Sequence, residues 1–335
     1  MNARPVVFRN DQGLKLHGIL HEPEQQTGSL GVILLSPGIK MRVAPHRLYL
    51  AMAEVLVAMG VPVLRFDFSG LGDSEGEIED DSLMSVYNSI QSGRFVGDTR
   101  AAMNWMQSEC GVTRFVLSGL CGGAITGLLA AAEDKRVDGL MGLGIPVAFD
   151  GGREDFAKYV TQGQLERMRR MYVRKLLSPS AWLRLLSFRS DYRIIGKVLR
   201  QWFARLRGGK VQQAVEPPSE ALANVNPKFA PAFFSMVKRG GRMLLVFSGA
   251  DRLGWEFEEK FVAPNRAALE PYRDRFQVRT VEDANHVFTL REWQDEMLIH
   301  LRAWFQRNYS AADSRVVEDM TVGAEAACQP ALRDG

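Results

Sequence analysis

The chain has 335 residues, 46% of them hydrophobic and 24% charged, and this ordinary balance excludes both a disordered and a collagen-like protein. The net charge is only +3, but it is unevenly placed along the chain. Three cysteines (Cys110, Cys121 and Cys328) form neither an even-numbered disulfide framework nor a metal-type spacing, so we expect a reducing compartment and no structural metal.

The first 150 residues alternate short apolar runs with helical patterns, which is typical of a parallel sheet covered by helices. Alternation around a turn at residues 11–13 predicts an antiparallel hairpin at the sheet edge, formed by residues 6–8 and 14–20. Nearly continuous apolar runs then predict buried strands at residues 30–36, 61–67, 114–118 and 138–145. Helical spacing predicts helices at residues 46–59 and 97–109.

The second half of the chain interrupts this pattern. Strand signals disappear from residue 151 to 234, and then resume at residues 243–248 and 276–281 before a helix at 290–308. This order predicts a helical cap (151–234) inserted between two parts of an α/β core (1–150 and 235–309). Residues 310–335 show little periodicity, and we expect them to form a flexible tail.

The predicted cap is strongly basic. Residues 153–210 contain 15 Lys or Arg against 4 Asp or Glu. Their apolar residues recur at three- and four-residue steps, which predicts amphipathic helices that roof the site with their apolar faces. We interpret the Arg-rich faces as solvated, and peripheral contact with an anionic membrane surface remains an open alternative.

The most informative segment reads FVLSGLCGGAITG from Phe115. A strand ends at Ser118, a glycine-rich turn follows, and an Ala/Leu-rich helix begins at once. This is the context of the G-x-S-x-G nucleophile elbow, with Cys121 in the nucleophile position. The helix N-terminus favours the thiolate, and the Gly122 N–H is expected to point at the developing oxyanion. A buried structural cysteine is the alternative, and Ser118 is disfavoured because its side chain should not project above the sheet.

An elbow requires an acid and then a base later in the chain. Asp251 follows the strand at residues 243–248, and His286 lies in the loop after the last strand. The expected triad is therefore Cys121, His286 and Asp251, with Asp283 as the fallback acid.

The loop after the strand at residues 30–36 should supply the second oxyanion donor, at the N–H of Ile39. Positive charge is predicted at the pocket mouth, and the candidate substrate-binding residues are Lys40, Arg42, Arg252 and Trp255. The alternative is that these cations pair with the acidic stretch at residues 75–81. The glycine-rich loop at residues 68–76 lacks the glycine pattern or lysine of a phosphate-binding loop, so we interpret it as structural.

Residues 65–76 (RFDFSGLGDSEG), the elbow and the Asn285-His286 loop together resemble the α/β-hydrolase superfamily across residues 6–308. More narrowly, the sequence resembles the exosortase A system-associated hydrolases, bacterial proteins whose genes accompany exopolysaccharide and protein-sorting loci. The segments that carry this resemblance are MRVAPHRLY (41–49), VLRFD (63–67), GLCGGA (119–124) and YVRKLLS (172–178). The resemblance implies an α/β-hydrolase fold with a mostly parallel sheet. In having a cysteine at the nucleophile position of this fold, the sequence also resembles two other families. Dienelactone hydrolases catalyse hydrolysis, whereas polyhydroxyalkanoate synthases transfer acyl groups.

These observations predict hydrolysis of a small-molecule acyl ester or thioester through a covalent intermediate on Cys121. Alternatives are an acyltransferase with the same triad, a non-catalytic binding scaffold, and a protein whose basic cap docks on a membrane or polyanion. No metal, organic cofactor or nucleic-acid partner is implied, and no oligomeric state is indicated. Because no apolar run has the length of a signal peptide or membrane span, a cytoplasmic location is expected.

Overall fold

An eight-stranded sheet lies at the centre of the computed structural model, which describes residues 2–80, 82–149 and 224–309. The strands are β1 (Asn2–Arg9), β2 (Lys15–Glu22), β3 (Leu30–Leu35), β4 (Val63–Phe66), β5 (Arg114–Leu120), β6 (Val137–Leu143), β7 (Arg242–Ser248) and β8 (Phe276–Val281). Their spatial order is β1-β2-β4-β3-β5-β6-β7-β8. The β1–β2 and β2–β4 pairs are antiparallel, and all the others are parallel. The carboxyl ends of β3 to β8 therefore meet at one edge, where loops from distant parts of the chain converge.

Helices cover both faces of the sheet. They are α1 (Leu48–Val57), α2 (Leu83–Gln91), α3 (Val96–Cys110), α4 (Gly122–Glu133), α5 (Phe229–Lys238), α6 (Leu253–Phe257), α7 (Ala263–Leu269) and α8 (Arg291–Tyr309). Alternate residues of each strand enter opposite cores. In β3, Ile33 and Leu35 join the core beneath α3, α4 and α5, whereas Val32 and Leu34 join the core beneath α1 and α8. This two-sided burial explains the nearly continuous apolar runs in the sequence.

The predicted hairpin, the six later strands and the helices at residues 97–109 and 290–308 are confirmed, with ends that shift by up to a few residues. The helix predicted at residues 46–59 is shorter, because His46 and Arg47 have φ values of 54° and 60° and regular helix begins only at Leu48. Helix α2 was not predicted. It begins after Ser82, whose side chain accepts a hydrogen bond from the Ser85 N–H at 3.1 Å.

Residues 225–234, assigned above to the cap, lie in the compact unit that contains the sheet. Helix α5 packs against α4 there, with Phe229 and Phe233 fully buried. Residues 151–223 of the predicted cap, including its basic segment, and the predicted tail lie outside the described residues. Among the helices that the structure describes, none has the length and apolar character needed to cross a membrane.

Candidate active site

Cys121 occupies the sharp turn between β5 and α4. Its φ of 54° and ψ of −111° lie in a region that residues with a side chain rarely adopt. The strand and the helix approach each other so closely that a Cβ atom on Gly119 would collide with the Gly123 backbone. A Cβ atom on Gly123 would likewise collide with the Leu35 carbonyl group. These contacts explain why glycines surround Cys121, which is partly exposed at the start of α4.

The structure brings His286 and Asp251 together with Cys121, from the loops that follow β8 and β7. The His286 Nδ1 lies 2.5 Å from Asp251 Oδ2, and the imidazole is close enough to the Cys121 side chain for the sulfur to affect its pKa. The second carboxylate oxygen of Asp251 accepts a hydrogen bond from the Arg252 backbone N–H at 2.7 Å. Both oxygens of Asp251 are thus engaged, which holds the carboxylate against the imidazole.

The protonation of His286 follows from these contacts. Burial alone lowers the pKa of His286, but hydrogen bonds to Asp251 and Cys121, together with the charges of both, outweigh burial and raise it to about 10. At neutral pH the imidazole therefore carries a proton. A protonated imidazole beside a cysteine side chain is an arrangement found in enzymes that use cysteine as a nucleophile.

Ser118, the disfavoured nucleophile, and Asp283, the fallback acid, have different surroundings from Cys121 and Asp251. Ser118 is fully buried, and its hydroxyl donates a hydrogen bond to the Met141 carbonyl oxygen at 3.0 Å. Asp283 is exposed in the turn before His286, with a φ of 58°.

The loop after β3 touches the start of α4, where the two oxyanion donors were predicted. A Cβ atom on Gly122 would lie 2.7 Å from Gly38 Cα and 2.9 Å from Gly38 N. Gly122 is the first residue of α4, so its N–H has no partner within the helix. Ile39 follows Gly38 directly and packs partly buried against the core. The backbone segments that carry the two predicted donors are therefore in contact.

Tyr49 of α1 connects the ends of β3 and β5, which lead into these segments, and no sequence pattern singled out this residue. Its hydroxyl donates to the Leu35 carbonyl oxygen at 2.7 Å and accepts from the Leu120 N–H at 2.7 Å. Burial raises the pKa of Tyr49; the Leu120 N–H lowers it less, and the charge of Cys121 raises it further, so the phenol keeps its proton. In the sequence, a tyrosine on an apolar helix face is indistinguishable from an ordinary core residue.

A cavity of about 310 Å³ opens beside Cys121 and His286. Its other described lining residues are Tyr87, Ile90, Gln91, Gly122, Pro146, Ala148, Asp251, Arg252 and Leu253. Helix α2, absent from the sequence prediction, supplies three of them. Burial, and then the charge of Cys121, raise the pKa of Tyr87, so this phenol also stays protonated.

Of the four predicted substrate-binding residues, Arg252 lines the described cavity, with its Nε 3.6 Å from the Glu256 carboxylate. Lys40 is exposed, and the Trp255 side chain, 41% exposed, lies outside the cavity lining. Arg42 also lies outside that lining. Its guanidinium pairs with the fully buried Asp67 and, at 2.6 Å, with Asp73. The acidic partners of Arg42 therefore precede the stretch at residues 75–81 considered above.

The described residues contain no group of three or more His, Cys, Asp and Glu side chains arranged to hold a metal ion. No protein-family model matches the chain, and no curated protein matches its sequence.

Solved structures similar to this chain include esterases and other α/β hydrolases. An esterase from Pyrococcus furiosus has a TM-score of 0.55 at 17% sequence identity, over 91% of this chain and 91% of its own. The α/β hydrolase GrgF from Penicillium has a TM-score of 0.53 at 16% sequence identity, and the match covers 92% of this chain and 100% of GrgF. The esterase domain of a Rhodothermus marinus protein has a TM-score of 0.50 at 16% sequence identity, and the match covers 91% of this chain and 99% of that domain. The chain has the α/β-hydrolase fold.

Proposed function

We propose that the protein is a hydrolase that cleaves an acyl ester or thioester through a covalent intermediate on Cys121. The observation that carries this proposal is the hydrogen bond between Asp251 and His286 beside Cys121, with all three residues lining one cavity of ligand-binding size. The esterases among the similar structures support the same class of reaction.

In the proposed acylation step, the Cys121 thiolate attacks the carbonyl carbon and forms a C–S bond. The carbonyl oxygen becomes an oxyanion, which the N–H groups of Gly122 and Ile39 stabilise; such a donor contributes about 3 kcal/mol to transition-state binding in related chemistry. When the tetrahedral intermediate collapses, the bond to the leaving oxygen or sulfur breaks. The proton of His286 passes to that leaving group, which departs as an alcohol or thiol.

Deacylation reverses these roles. The neutral imidazole of His286 takes a proton from water while the water oxygen attacks the thioester carbonyl. The C–S bond then breaks, the carboxylic acid leaves, and the thiolate–imidazolium pair is restored. Asp251 orients the ring throughout and stabilises its positive charge.

The cysteine nucleophile favours a second candidate function, acyl transfer, because a thioester reacts readily with amines and thiols as well as with water. The ratio of hydrolysed to transferred product in the presence of an added amine distinguishes the two reactions. The resemblance of residues 41–49 and 119–124 to the exosortase A system-associated hydrolases extends the proposal to a bacterial exopolysaccharide or exosortase context.

Intact-protein mass spectrometry tests the proposal directly. Incubation with a panel of activated esters and acyl thioesters should add one acyl mass, which peptide mapping should locate on Cys121. The matched control is Cys110, a half-buried thiol whose pKa is raised by burial, so that it reacts slowly. Cys121→Ala should lose acylation and turnover, whereas Cys110→Ala should keep both. Retained ester cleavage in Cys121→Ala would disprove the assignment.

A further inference from the structure

The last residue of α2, Gln91, is a polar residue in a mostly apolar section of the cavity wall. Only 5% of it is exposed, and its carboxamide oxygen is buried without a hydrogen-bond partner among the described residues. Its backbone carbonyl oxygen accepts a hydrogen bond from Asn226 Nδ2 at 2.8 Å, which holds this end of α2 in place. The unpaired acceptor therefore belongs to an anchored segment of the wall.

A buried acceptor without a donor is energetically unfavourable, and a ligand that supplies a donor offsets this penalty. Four other wall residues, Ile90, Pro146, Ala148 and Leu253, offer only apolar side chains. Gln91 adds a hydrogen-bond acceptor to these apolar side chains, so it can distinguish a ligand with a hydrogen-bond donor from one of the same shape without it. Such sites discriminate strongly, because the wrong ligand leaves the polar group unpaired.

The position of Gln91 relative to the reacting atoms limits where that donor lies. Tyr87 is close enough to Cys121 for the sulfur charge to affect its pKa, and its ring packs on Gly38 of the predicted oxyanion loop. Gln91 follows one helical turn later on the same face of α2, about 5–6 Å away between Cβ atoms. A ligand would span this distance of about 5–6 Å with a few covalent bonds.

We propose that Gln91 is a specificity-determining residue whose carboxamide oxygen accepts a hydrogen bond from a hydroxyl or amide N–H on the acyl group, a few bonds beyond the reacting carbonyl. This inference rests on the proposed function and narrows its substrate class to short acyl groups that carry such a donor.

Two phenyl esters of the same shape test this selectivity. N-acetylglycine phenyl ester carries an amide N–H where levulinic acid phenyl ester has a CH₂ group, and both release phenol. The ratio of their kcat/KM values, each normalised to alkaline hydrolysis of the same ester, should favour the N–H compound by about tenfold in the unmodified protein. Gln91→Met removes the acceptor at similar length and should bring the ratio close to one. Gln91→Glu keeps an acceptor oxygen and should retain the preference.

Asn88 offers a matched control. It lies on the same helix, its side-chain oxygen is also buried without a partner among the described residues, and it is not part of the cavity lining. Asn88→Leu should therefore leave the ratio unchanged. Equal normalised kcat/KM values in the unmodified protein, or an unchanged preference in a folded Gln91→Met, would overturn the inference while acylation of Cys121 still supports the proposed function. If neither ester nor any other acyl donor acylates Cys121, the proposed function fails, and the inference fails with it.

Discussion

Replacing Tyr49 by Phe removes one oxygen atom on which two backbone segments of the candidate site depend. The hydroxyl accepts from the Leu120 N–H and donates to the Leu35 carbonyl oxygen, both at 2.7 Å and away from water. Leu35 ends β3, and Leu120 immediately precedes Cys121. The β3–β5 ladder ends at the Leu35–Gly119 pair, so the Tyr49 hydroxyl continues the hydrogen bonding one residue beyond it.

The structure sets the size of the effect. Tyr49→Phe leaves one buried N–H and one buried carbonyl without a partner, and each such group costs about 1–3 kcal/mol. We therefore expect the free energy of unfolding to fall by about 2–6 kcal/mol, measured by urea denaturation. The loop that carries Ile39 should also shift relative to Cys121. Because misplacement by about 1 Å can cost 10²-fold in rate, kcat should fall by about 10- to 100-fold with little change in KM.

Tyr309 provides the control for this experiment. It is also a buried tyrosine, but its hydroxyl has no hydrogen-bond partner among the described residues. Tyr309→Phe removes the same atom without breaking a hydrogen bond, so the free energy of unfolding should stay the same or rise. If Tyr49→Phe and Tyr309→Phe unfold at the same urea concentration and Tyr49→Phe keeps its kcat, the proposed positioning role is wrong.

Three further substitutions test the electrostatics around the site. Asp251 raises the pKa of His286, so Asp251→Asn should lower that pKa from about 10 and move the alkaline limb of the kcat/KM profile to lower pH, whereas Asp283→Asn should leave the profile unchanged. The raised pKa of His286 also stabilises the folded state fully below about pH 6.5, and this stabilisation is lost as pH rises through about 10, so Asp251→Asn should destabilise less at high pH. Arg42→Met leaves the fully buried Asp67 without its cation and should lower the free energy of unfolding by about 3 kcal/mol with KM unchanged; a large rise in KM without loss of stability would instead indicate a role in substrate binding.

The elements of the site that sequence could predict are those governed by local rules. A glycine-rich turn between a buried strand and an apolar helix identifies Cys121, since few other arrangements place strand and helix so close. The order of the later loops then identifies Asp251 and His286, because the carboxyl ends of parallel strands meet at one edge of the sheet.

The remaining features depend on contacts between residues far apart in the chain. The pairing of Arg42 with Asp67 joins the loop after β3 to the end of β4, and no local pattern reveals it. Helix α2 (LMSVYNSIQ) consists mostly of residues with low intrinsic helix propensity, and its role in the cavity wall appears only once it packs against α4. The contribution of Tyr49 is hidden for the same reason, since its partners are backbone atoms of two separate strands.

The contacts around Cys121 divide the site into two kinds of position. The strained backbone of Cys121 is held where the end of β3, the end of β5 and the start of α4 converge, through close glycine contacts and the hydroxyl of Tyr49. Strain at a functional residue persists only where the surroundings over-determine the conformation, so substitutions at this junction should change stability and kcat together. Gln91 lines the cavity without joining these segments, and its carboxamide oxygen makes no hydrogen bond within the described structure that a substitution would break. A change there should alter the choice of acyl group while leaving the positioning of Cys121 and His286 intact. Measuring unfolding and kinetics on the same variants therefore separates the residues that hold Cys121 in place from those proposed to select the acyl group.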